Sequence, residues 1–545
     1  MSSGTHHFLD KQSISFPKTI DENAYSSVVD LIEQSCEKFA ERPAFSSFGQ
    51  ELSYAEIERK SAYVAAYLQA ELGLKKGDRV ALMSPNIMAF PVAMLGILRA
   101  GLVQVNVNPL YTGRELTHQL NDADTDTIII YGGVTDTLAE MIDQTSVKHV
   151  IIANLGDTTN GRLPSPKVND RFKDTITLND VLEQGATLSF KKPSVDLSDL
   201  IFLQYTGGTT GLSKGAALSH GNLVSNIMMY DAVAGEITLE GREIVITALP
   251  LYHIFALMVN FLAYFKYGAL NVLIANPRDL QGFVTELGKW KFSAISGVNT
   301  LYNGLLHTPS FADLNFDNLK VAWGGGAAIQ RVVSDKWLEL TGQHIKEGYG
   351  LSETSPILTI NPLGVRHFTE TVGLPMPSTE ITLRDTEGNE VLDGEPGELW
   401  VRGPQVMNGY WRNPEANAEV MTEDGFFKTG DIAILTEEGY YKIVDRIKDM
   451  VLVSGFNVYP TEIENVIAEI SGIVEVAVIG VPNDKTGESV KAFIVRSMDG
   501  LSGQEVQDYC RDNLAAYKVP KHVEFIDELP KSTVGKILRR ELRNL

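Results

Sequence analysis

The stretch YTGGTTGLSKG, residues 205–215, holds four glycines, four serine or threonine hydroxyls and one lysine, shortly after the apolar run at 200–203. Glycines lack a Cβ atom, so nearby backbone N–H groups can turn toward an anion, while hydroxyl and ammonium groups add further donors. The pattern predicts a strand that leads into a phosphate-binding loop. An ordinary glycine-rich surface loop is the alternative, and the segment alone does not separate the two.

One familiar kind of phosphate loop is excluded by the spacing. The Walker A motif places its lysine directly after the last glycine and follows it with serine or threonine. Here Leu212 and Ser213 separate Gly211 from Lys214, and Gly215 follows the lysine. The predicted loop is therefore of a different kind.

Outward from this loop, apolar runs typical of buried strands alternate with stretches of helical spacing. Predicted strands cover 79–83, 103–107, 127–131, 244–249 and 270–274, and predicted helices cover 26–40, 53–72, 87–99, 114–121 and 255–267. A second stretch of this kind covers about residues 280–350. Strands and helices that take turns at this spacing indicate βαβ units on largely parallel sheets.

The sequence changes character at Thr371, where prolines, glycines and short alternating runs predict a β-rich subdomain or barrel over 371–444. The charged segment 445–449 predicts a linker, and 449–545 predicts a compact α+β unit, with a helix at 503–513, that is large enough to fold alone. The expected fold is α/β. A large N-terminal domain at 1–447 combines two αβ subdomains, with mixed and mostly parallel sheets, and the β-barrel-like subdomain; a small α+β C-terminal domain follows.

Composition limits the function classes. The formal net charge of −22, from 69 acidic and 47 basic residues, disfavours binding to nucleic acid, although a local basic patch would still allow membrane contact. The two distant cysteines, Cys36 and Cys510, fit neither a disulfide framework nor a zinc site and favour a reducing, intracellular setting. The N-terminus lacks signal-peptide features, and the apolar segment 254–265 falls short of the ~20 residues of a membrane span.

Six separated stretches, taken together, resemble one enzyme family. In order and spacing they are similar to the adenylate-forming enzymes, which include acyl-CoA synthetases, firefly luciferase and the adenylation domains of nonribosomal peptide synthetases. Residues 424–464 resemble the signature of fatty acyl-CoA synthetases, and with 276–279 and 531–540 the chain is most similar to the bacterial long-chain enzymes. The six stretches are 205–215, LPLYH at 249–253, GYGLSET at 348–354, TGD at 429–431, DR at 445–446 and PKSTVGK at 530–536.

This resemblance implies a reaction in two steps. A fatty carboxylate attacks ATP to give acyl-adenylate and pyrophosphate, and the thiol of CoA, a co-substrate, then displaces AMP, with Mg²⁺ as the metal. One alternative within the family is an aryl acid or a carrier-protein thiol in place of the fatty acid or CoA. An alternative from another class is a catalytically silent acyl- or nucleotide-binding protein.

The resemblance assigns nucleotide binding to several regions of the chain. The glycine-rich loop would hold the β and γ phosphates, Tyr349 would stack on adenine, and Asp431 with Arg446 would bind the ribose. A carboxylate such as Asp431 can accept hydrogen bonds from both ribose hydroxyls. The expected ATP- and AMP-binding residues are Tyr205, Thr206, Gly207, Gly208, Thr209, Thr210, Gly211, Ser213, Lys214, Gly324, Gly325, Gly326, Ala327, Tyr349, Gly350, Asp431 and Arg446.

Adenylation places negative charge on phosphorus and on the departing pyrophosphate, so it needs fixed donors and cations more than a protein nucleophile. By resemblance Glu353 is the magnesium ligand, Ser352 contacts the α phosphate, and Lys536 contacts both the carboxylate and the α phosphate. A cation at that point would screen the repulsion between two anions before they react. The alternative for Lys536 is one more exposed lysine on a solvated basic helix that also contains Arg539, Arg540 and Arg543.

The acyl pocket is expected around His253, which by resemblance also borders the passage for the thiol; a core histidine is the alternative. Lys448 resembles the hinge position of a mobile C-terminal domain. Rotation there would remove Lys536 and bring Gly455 toward the pantetheine channel, whereas a linker without a mechanistic role is the plain alternative. The expected acyl-tunnel residues are His253, Phe255, Met258 and Val298.

The expected partners are a fatty acid, ATP and CoA, with no nucleic acid. The expected location is the cytoplasm. Peripheral contact with the inner face of the cytoplasmic membrane and a homodimer are compatible with the resemblance.

Overall fold

The computed structural model describes residues 15–159, 163–206, 213–483, 485–497, 500–532 and 535–545. Within these ranges the strands form four sheets, and helices pack on the two largest of them. The predicted α/β fold class is therefore confirmed.

The first sheet has six strands and surrounds the glycine-rich stretch. Five strands run parallel and the last is antiparallel. The predicted strands at 103–107 and 127–131 are confirmed with the same bounds. The described ends of the predicted phosphate loop, Thr206 and Lys214, belong to the last two strands of this sheet. In spatial order the strands are His149–Ala153, Thr127–Tyr131, Arg79–Met83, Val103–Val107, Leu200–Thr206 and Lys214–Ser219.

The second sheet has nine strands, of which the six central ones run parallel. The outer strands are antiparallel to their neighbours. The carboxyl ends of parallel strands share one edge, where ligands bind in open α/β sheets. In spatial order the strands are Leu374–Pro375, Ile357–Ile360, Ile345–Gly350, Val321–Gly324, Ala294–Gly297, Ile244–Thr247, Leu270–Leu273, Pro43–Ser47 and Gln50–Ser53.

The helices of this part of the chain cover the two sheets with their apolar faces. At 53–56, a serine followed three residues later by glutamate gives a capping box: Ser53 N donates to Glu56 Oε2 (2.9 Å), and Glu56 N donates to Ser53 Oγ (3.2 Å). These helices are Val28–Lys38, Tyr54–Ala70, Ala89–Arg99, Gly113–Asp122, Thr135–Met141, Leu178–Gly185, His220–Ala234, Leu280–Leu287, Asn299–Leu306 and Arg331–Thr341; a further helix, Pro414–Val420, packs on the strand Phe427–Leu435.

The apolar helix expected at 255–267 differs from the prediction. Its centre, Ala256–Ala263, is π-helical, and the helix ends before Lys266. Asn260, which interrupts the apolar run, donates to the Ile246 carbonyl over 3.0 Å and accepts from Ser296 Oγ over 2.7 Å. This buried amide ties the helix to the nine-stranded sheet. In the described part of the chain, we find no helix with the length and apolar character to span a bilayer.

The β-rich region predicted after Thr371 contains a four-stranded antiparallel sheet. Tyr441 N donates to the Gly373 carbonyl over 2.9 Å, which joins this sheet to the edge of the nine-stranded sheet. Its strands, in spatial order, are Glu380–Arg384, Gly397–Arg402, Phe427–Leu435 and Tyr441–Arg446.

The last sheet and its helices form a separate layer with its own apolar core. The predicted helix at 503–513 is confirmed with the same bounds. Cys36 and Cys510 are both buried free thiols. The sheet comprises Phe456–Val458, Val451–Val453, Gly487–Arg496 and Ile473–Asn483, with His522–Phe525 parallel to Gly487–Arg496, and the helices are Pro460–Ala468, Gly503–Asn513 and Arg539–Leu542.

Candidate active site

Asp431 and Arg446 face one another in direct register on neighbouring strands of the four-stranded sheet. Arg446 Nε lies 3.1 Å from Asp431 Oδ1, and the Tyr349 hydroxyl donates to Asp431 Oδ2 over 2.6 Å. Asp431 is only 3% exposed, so these contacts hold its carboxylate in one orientation. Burial, with the charge of Asp431, raises the pKa of Tyr349 and keeps its hydroxyl a donor. Three predicted nucleotide residues thus form one network.

The backbone before Asp431 is also fixed. Gly430 N donates to Glu398 Oε1 over 3.1 Å, and Asp431 N donates to Thr429 Oγ1 over 3.1 Å. The Thr429 hydroxyl in turn donates to the Leu399 carbonyl over 2.7 Å. The neighbouring strand therefore sets the position of the predicted ribose carboxylate.

Glu353 lies in the 3₁₀ turn Ser352–Thr354, shortly after the strand Ile345–Gly350. It is buried, and its Oε1 accepts a hydrogen bond from the Tyr410 hydroxyl over 2.8 Å. Burial raises the pKa of the Glu353 carboxyl, while the bond from Tyr410 and the charge of Arg446 act in the opposite direction. Ser352 precedes Glu353 in the same turn, so the structure places these two predicted residues together.

Tyr410 was not predicted as a site residue. Its segment pairs with the strand Lys214–Ser219, since Trp411 N donates to the Gly215 carbonyl over 2.7 Å. Lys214 Nζ lies 5.3 Å from the centroid of the Tyr410 ring. Tyr410 therefore contacts both the predicted metal ligand and the predicted phosphate-binding lysine. No local pattern marks it, because the contact depends on pairing between distant segments.

The ends of the predicted phosphate loop are held by the six-stranded sheet. Tyr205 and Thr206 end one strand and pair with Gly215 and Lys214 on the next. The Tyr205 hydroxyl donates to Asp122 Oδ2 over 2.6 Å, which fixes the ring at the start of the loop. Of the other predicted loop residues, Ser213 has its carbonyl 2.8 Å from His118 Nε2, and Gly207, Gly208, Thr209, Thr210 and Gly211 lie outside the described residues.

The glycine-rich turn after Val321–Gly324 lies at the carboxyl edge of the nine-stranded sheet. A Cβ atom on Gly325 would lie 3.2 Å from the Gly348 carbonyl oxygen and 3.3 Å from the Phe255 ring, so only glycine fits without displacement. Gly326 and Ala327 are exposed beyond this crowded point. The turn therefore combines close backbone packing at Gly325 with an open face at Gly326 and Ala327. The strand Ile345–Gly350 places Gly350 at its end.

Lys536 reaches this site from the last layer of the fold. Thr300 Oγ1 donates to the Gly535 carbonyl over 3.0 Å, so the residue before Lys536 contacts a helix of the nine-stranded sheet. The pKa of Lys536 is lowered to about 7, mainly by burial; the charge of Arg446 also lowers it, whereas that of Asp431 raises it. Lys536 therefore lies within range of the charges of Asp431 and Arg446.

His253 lies between Pro250 and Phe255, at the start of the π-containing helix. Its Nδ1 accepts a hydrogen bond from Phe255 N over 3.3 Å. Burial lowers the pKa of His253 to about 4, and the positive charge of Lys536 acts in the same direction. The imidazole is therefore neutral near pH 7 and lies close to Lys536.

The other predicted tunnel residues divide into two groups. The Phe255 ring faces Gly325, and a Cβ atom on Gly326 would lie 3.5 Å from Val298 Cγ1. Phe255 and Val298 therefore border the glycine-rich turn. Met258 is fully buried in the main apolar core, with no contact that separates tunnel lining from ordinary core packing.

Lys448 and Gly455 occupy different positions relative to the site. Partial burial and the charge of Arg446 lower the pKa of Lys448, which places this lysine within reach of the site's charges. Gly455 lies in the exposed turn between Val451–Val453 and Phe456–Val458, with φ +86°. Across the described ranges no hydrogen bond links this turn to Asp431 or Lys536, so the structure does not bring Gly455 to the nucleotide network.

The donor set fits Mg²⁺ shared with a polyphosphate. In the ranges described above, no group of three or more His, Cys, Asp and Glu side chains could hold a metal ion by itself. Mg²⁺ is commonly bound by one or two carboxylates together with substrate phosphates. Glu353 supplies one such buried carboxylate, and only one of its oxygens accepts the bond from Tyr410, whose ring also contacts Lys214.

Comparison with known proteins gives matches over most of the chain. Residues 32–411 match the model of the AMP-binding enzymes, and residues 462–536 match the AMP-binding enzyme C-terminal domain. The long-chain-fatty-acid–CoA ligase of Escherichia coli O157:H7 is 49% identical, with 98% of each chain covered. The enzyme of that name from Bacillus subtilis (strain 168) is 36% identical, with 94% of this chain and 93% of the relative covered.

Solved structures give the same result. The anthranilate CoA ligase AuaEII, in complex with anthranoyl-AMP, has a TM-score of 0.86 at 25% identity and covers 95% of this chain and 97% of its own. ATP-bound MatB from Rhodopseudomonas palustris has a TM-score of 0.82 at 30% identity and covers 95% and 98%. Sequence and structure thus agree over both parts of the molecule, and the chain belongs to the AMP-binding enzyme family.

Proposed function

We propose that this chain activates long-chain fatty acids, first by adenylation with ATP and then by transfer of the acyl group to CoA. The observation that carries the proposal is the buried Asp431–Arg446 pair, whose two charges both act on the pKa of Lys536 from the last layer of the fold. Near full-length relatives named long-chain-fatty-acid–CoA ligase, at 45–49% identity, support the choice of substrate.

The ribose of ATP would bind at Asp431. A buried carboxylate can accept hydrogen bonds from both ribose hydroxyls. Tyr349 and Arg446 already donate to or pair with this carboxylate and would fix its direction. Gly326 and Ala327 offer exposed backbone at the nearby strand edge for the base.

The phosphates would bind between Lys214 and the Ser352–Glu353 turn, with the loop at 206–214 on the β and γ phosphates. Glu353 would hold Mg²⁺, which when bound would neutralise phosphate charge and orient the leaving pyrophosphate. Ser352 would donate to the α phosphate. Tyr410 holds the Glu353 carboxylate in place through its hydroxyl.

Lys536 would lie between the fatty carboxylate and the α phosphate. A carboxylate oxygen forms a bond to the α phosphorus, and the bond from that phosphorus to pyrophosphate breaks. A cation at this point lowers the repulsion between the two anions and stabilises the charge that develops on phosphorus. In the second step the deprotonated thiol of CoA forms a bond to the acyl carbon, and AMP leaves.

The acyl chain would enter beside His253, Phe255 and Val298, with Met258 deeper in the core. Neutral His253 would line both the acyl pocket and the thiol passage, because burial keeps its pKa at about 4. A neutral imidazole avoids placing a second fixed cation beside Lys536.

The domain arrangement is also part of the proposal. Residues 1–447 would form the adenylation domain, with its β-rich subdomain at about 371–444, and residues 449–545 would form the mobile C-terminal domain. Rotation about Lys448, within the hinge 445–449, would withdraw Lys536 and bring Gly455 toward the CoA channel. In the present arrangement the turn that contains Gly455 is exposed, which supports the proposed rotation because this turn is free to move toward the CoA channel.

The proposed cellular setting is the cytoplasm. Two buried free cysteines and a net charge of −22 support a cytoplasmic enzyme. A poorly soluble substrate supports peripheral contact with the inner face of the membrane, which co-sedimentation with anionic vesicles would test. A homodimer is tested by sedimentation velocity.

Pyrophosphate release, measured with ATP and Mg²⁺ across fatty acids from short to very long, tests the proposal. The expected result is release with long-chain acids, followed by thioester formation with CoA. Release only with aryl acids would assign an aryl acid as the substrate in place of a fatty acid. Transfer only to a holo carrier protein would assign a carrier-protein thiol as the acceptor in place of CoA. The absence of pyrophosphate with any acid would overturn the enzymatic proposal.

A further inference from the structure

Arg539 lies three residues after Lys536 and contacts residues on both sides of Lys448, the expected point of rotation. Its Nη2 lies 2.9 Å from Glu464 Oε1 and 2.8 Å from Glu464 Oε2, and its Nη1 lies 3.4 Å from Asp445 Oδ1. Glu464 follows Lys448 in the chain, whereas Asp445 precedes it. The alternative interpretation of Lys536 places Arg539 on a solvated basic helix, but the Arg539 side chain is mostly buried. Its contact with Asp445 joins residues on opposite sides of Lys448.

Asp445 contacts two elements of the last layer of the fold. Its side chain is 2% exposed, and its Oδ2 accepts from Thr461 N over 2.9 Å, in the first turn of the helix Pro460–Ala468. Its Oδ1 accepts from Arg446 N over 2.8 Å. A carboxylate of the four-stranded sheet therefore meets a helix start and a guanidinium that both lie beyond Lys448.

Two hydrogen bonds to backbone carbonyls fix the segment that carries Lys536. Near its tip, the Gly535 carbonyl accepts from Thr300 Oγ1 over 3.0 Å. Gly535 has φ +80°, and a Cβ atom there would lie 2.6 Å from Thr300 Oγ1, so the contact requires glycine. At its base, Leu538 N donates to the Pro530 carbonyl over 2.8 Å, directly before Arg539.

We propose that the Arg539–Asp445 pair positions Lys536 for adenylation. Arg539 acts through Lys536 and does not touch the reacting atoms, so it is a positioning residue. The reaction itself rests on the proposed function, whereas the pairing rests on the geometry alone. Because the pair joins the two sides of Lys448, it exists in the present arrangement and separates when the C-terminal layer rotates. The pair therefore stabilises the present arrangement relative to the rotated one.

Burial strengthens the electrostatic attraction between Arg539 and Asp445. The Arg539 side chain is 19% exposed and that of Asp445 is 2% exposed, so water and salt screen their attraction less than at an open surface. Charge-assisted hydrogen bonds are also stronger than neutral ones. Arg543 provides a comparison, since its Nη2 lies 3.0 Å from Asp449 Oδ1 and both residues lie beyond Lys448.

The test uses the full chain with three separate substitutions. Asp445→Asn removes the charge that crosses the hinge and keeps the shape of the side chain. Arg539→Gln removes the other partner, and Arg543→Gln, directly after the same helix, is the matched control. For each variant, adenylation is measured as ATP–pyrophosphate exchange, and the second step is measured from supplied acyl-adenylate and CoA.

We expect the adenylation rate to fall about tenfold in Asp445→Asn, which corresponds to one charge-assisted bond. The second step should keep its rate or rise, because the pair must already have separated there. Arg543→Gln should leave both steps unchanged. Equal losses in both steps for Asp445→Asn, or a loss in Arg543→Gln as large as in Asp445→Asn, would overturn the proposal.

Amide hydrogen exchange of the free enzyme separates this proposal from the proposed function, because it needs no substrate. Asp445→Asn and Arg539→Gln should raise the exchange rate of the amides at 535–538 by about tenfold, while the strand Ile473–Asn483 keeps its protection. Unchanged exchange at 535–538 in Asp445→Asn would overturn the pairing even in an active enzyme. If Arg539→Gln unfolds the last layer, the Asp445→Asn result decides.

Discussion

The nucleotide side of the site and the lysine side are held in different ways. Asp431 is fixed inside the four-stranded sheet, with Arg446 in direct register and Tyr349 from the nine-stranded sheet. Lys536 arrives from another layer, through a hydrogen bond at Gly535 and the ion pair of Arg539. The first arrangement suits groups needed in both half-reactions, and the second suits a group needed in only one.

The largest effect is expected for Lys536→Ala. Loss of one fixed donor at a developing charge should lower the adenylation rate about 100- to 1,000-fold. Thioester formation from supplied acyl-adenylate should stay nearly intact. Separate assays of the two half-reactions provide the measurement. Equal losses in both half-reactions would contradict the proposal that Lys536 acts in adenylation alone.

Asp431→Asn is expected to act on both half-reactions, because both ATP and acyl-adenylate carry the ribose. Hydrogen bonds to charged groups contribute about 1.5–3 kcal/mol each, so KM for ATP and for acyl-adenylate should rise about 10- to 100-fold. Steady-state kinetics on each substrate gives the measurement. A loss confined to adenylation would mean that Asp431 contacts something other than the ribose.

Lys448→Pro should slow the thioester step about tenfold and leave adenylation largely unchanged, because proline restricts the backbone where rotation is proposed. Lys448→Arg, which keeps the charge and the backbone freedom, is the matched control. Single-turnover measurements of each step make the comparison. An unchanged thioester rate in the proline variant would remove the hinge assignment.

Tyr410→Phe removes only the hydroxyl that holds Glu353 and retains the ring beside Lys214. A buried acceptor that loses its donor should raise the Mg²⁺ concentration for half-maximal adenylation about fivefold. Mg²⁺ titration of the pyrophosphate exchange rate measures this. If KM for the fatty acid rose instead, Tyr410 would belong to the acyl side of the site.

The smallest effect concerns pH. Burial lowers the pKa of Lys536 to about 7, so its cationic fraction in the free enzyme falls as pH rises through that value. At pH 7, kcat/KM for adenylation should therefore be about half its value on the acidic side of this limb. Lys536→Arg should flatten the limb, because a guanidinium stays charged. An identical limb in the arginine variant would assign the titration to another group.

Local sequence patterns predicted much of the fold. The strands at 103–107 and 127–131 and the helix at 503–513 have the predicted bounds, because apolar runs and caps act over a few residues. Membership of the adenylate-forming enzymes is confirmed by the comparisons. The nine-stranded sheet was beyond local reasoning, since it pairs Pro43–Ser47 with Leu270–Leu273 across a long separation.

The parts of the site that escaped prediction depend on contacts between distant segments. Tyr410 joins Glu353 only because its segment pairs with the strand after the phosphate loop. Arg539 looks like a solvated residue in sequence, yet three carboxylates lie around it in the fold. Motif matching predicted which residue types occupy the site; the positioning contacts required the packed chain.

The end of the strand Tyr441–Arg446 sets a limit on how this enzyme can be rebuilt. Successive side chains of a strand point to opposite faces, so Arg446 meets Asp431 while Asp445 meets Arg539. Deleting one residue from this strand would exchange the two faces, turning the carboxylate toward the nucleotide and the guanidinium toward another guanidinium. Grafts of the C-terminal domain between relatives should therefore keep both residues and their spacing from Asp431.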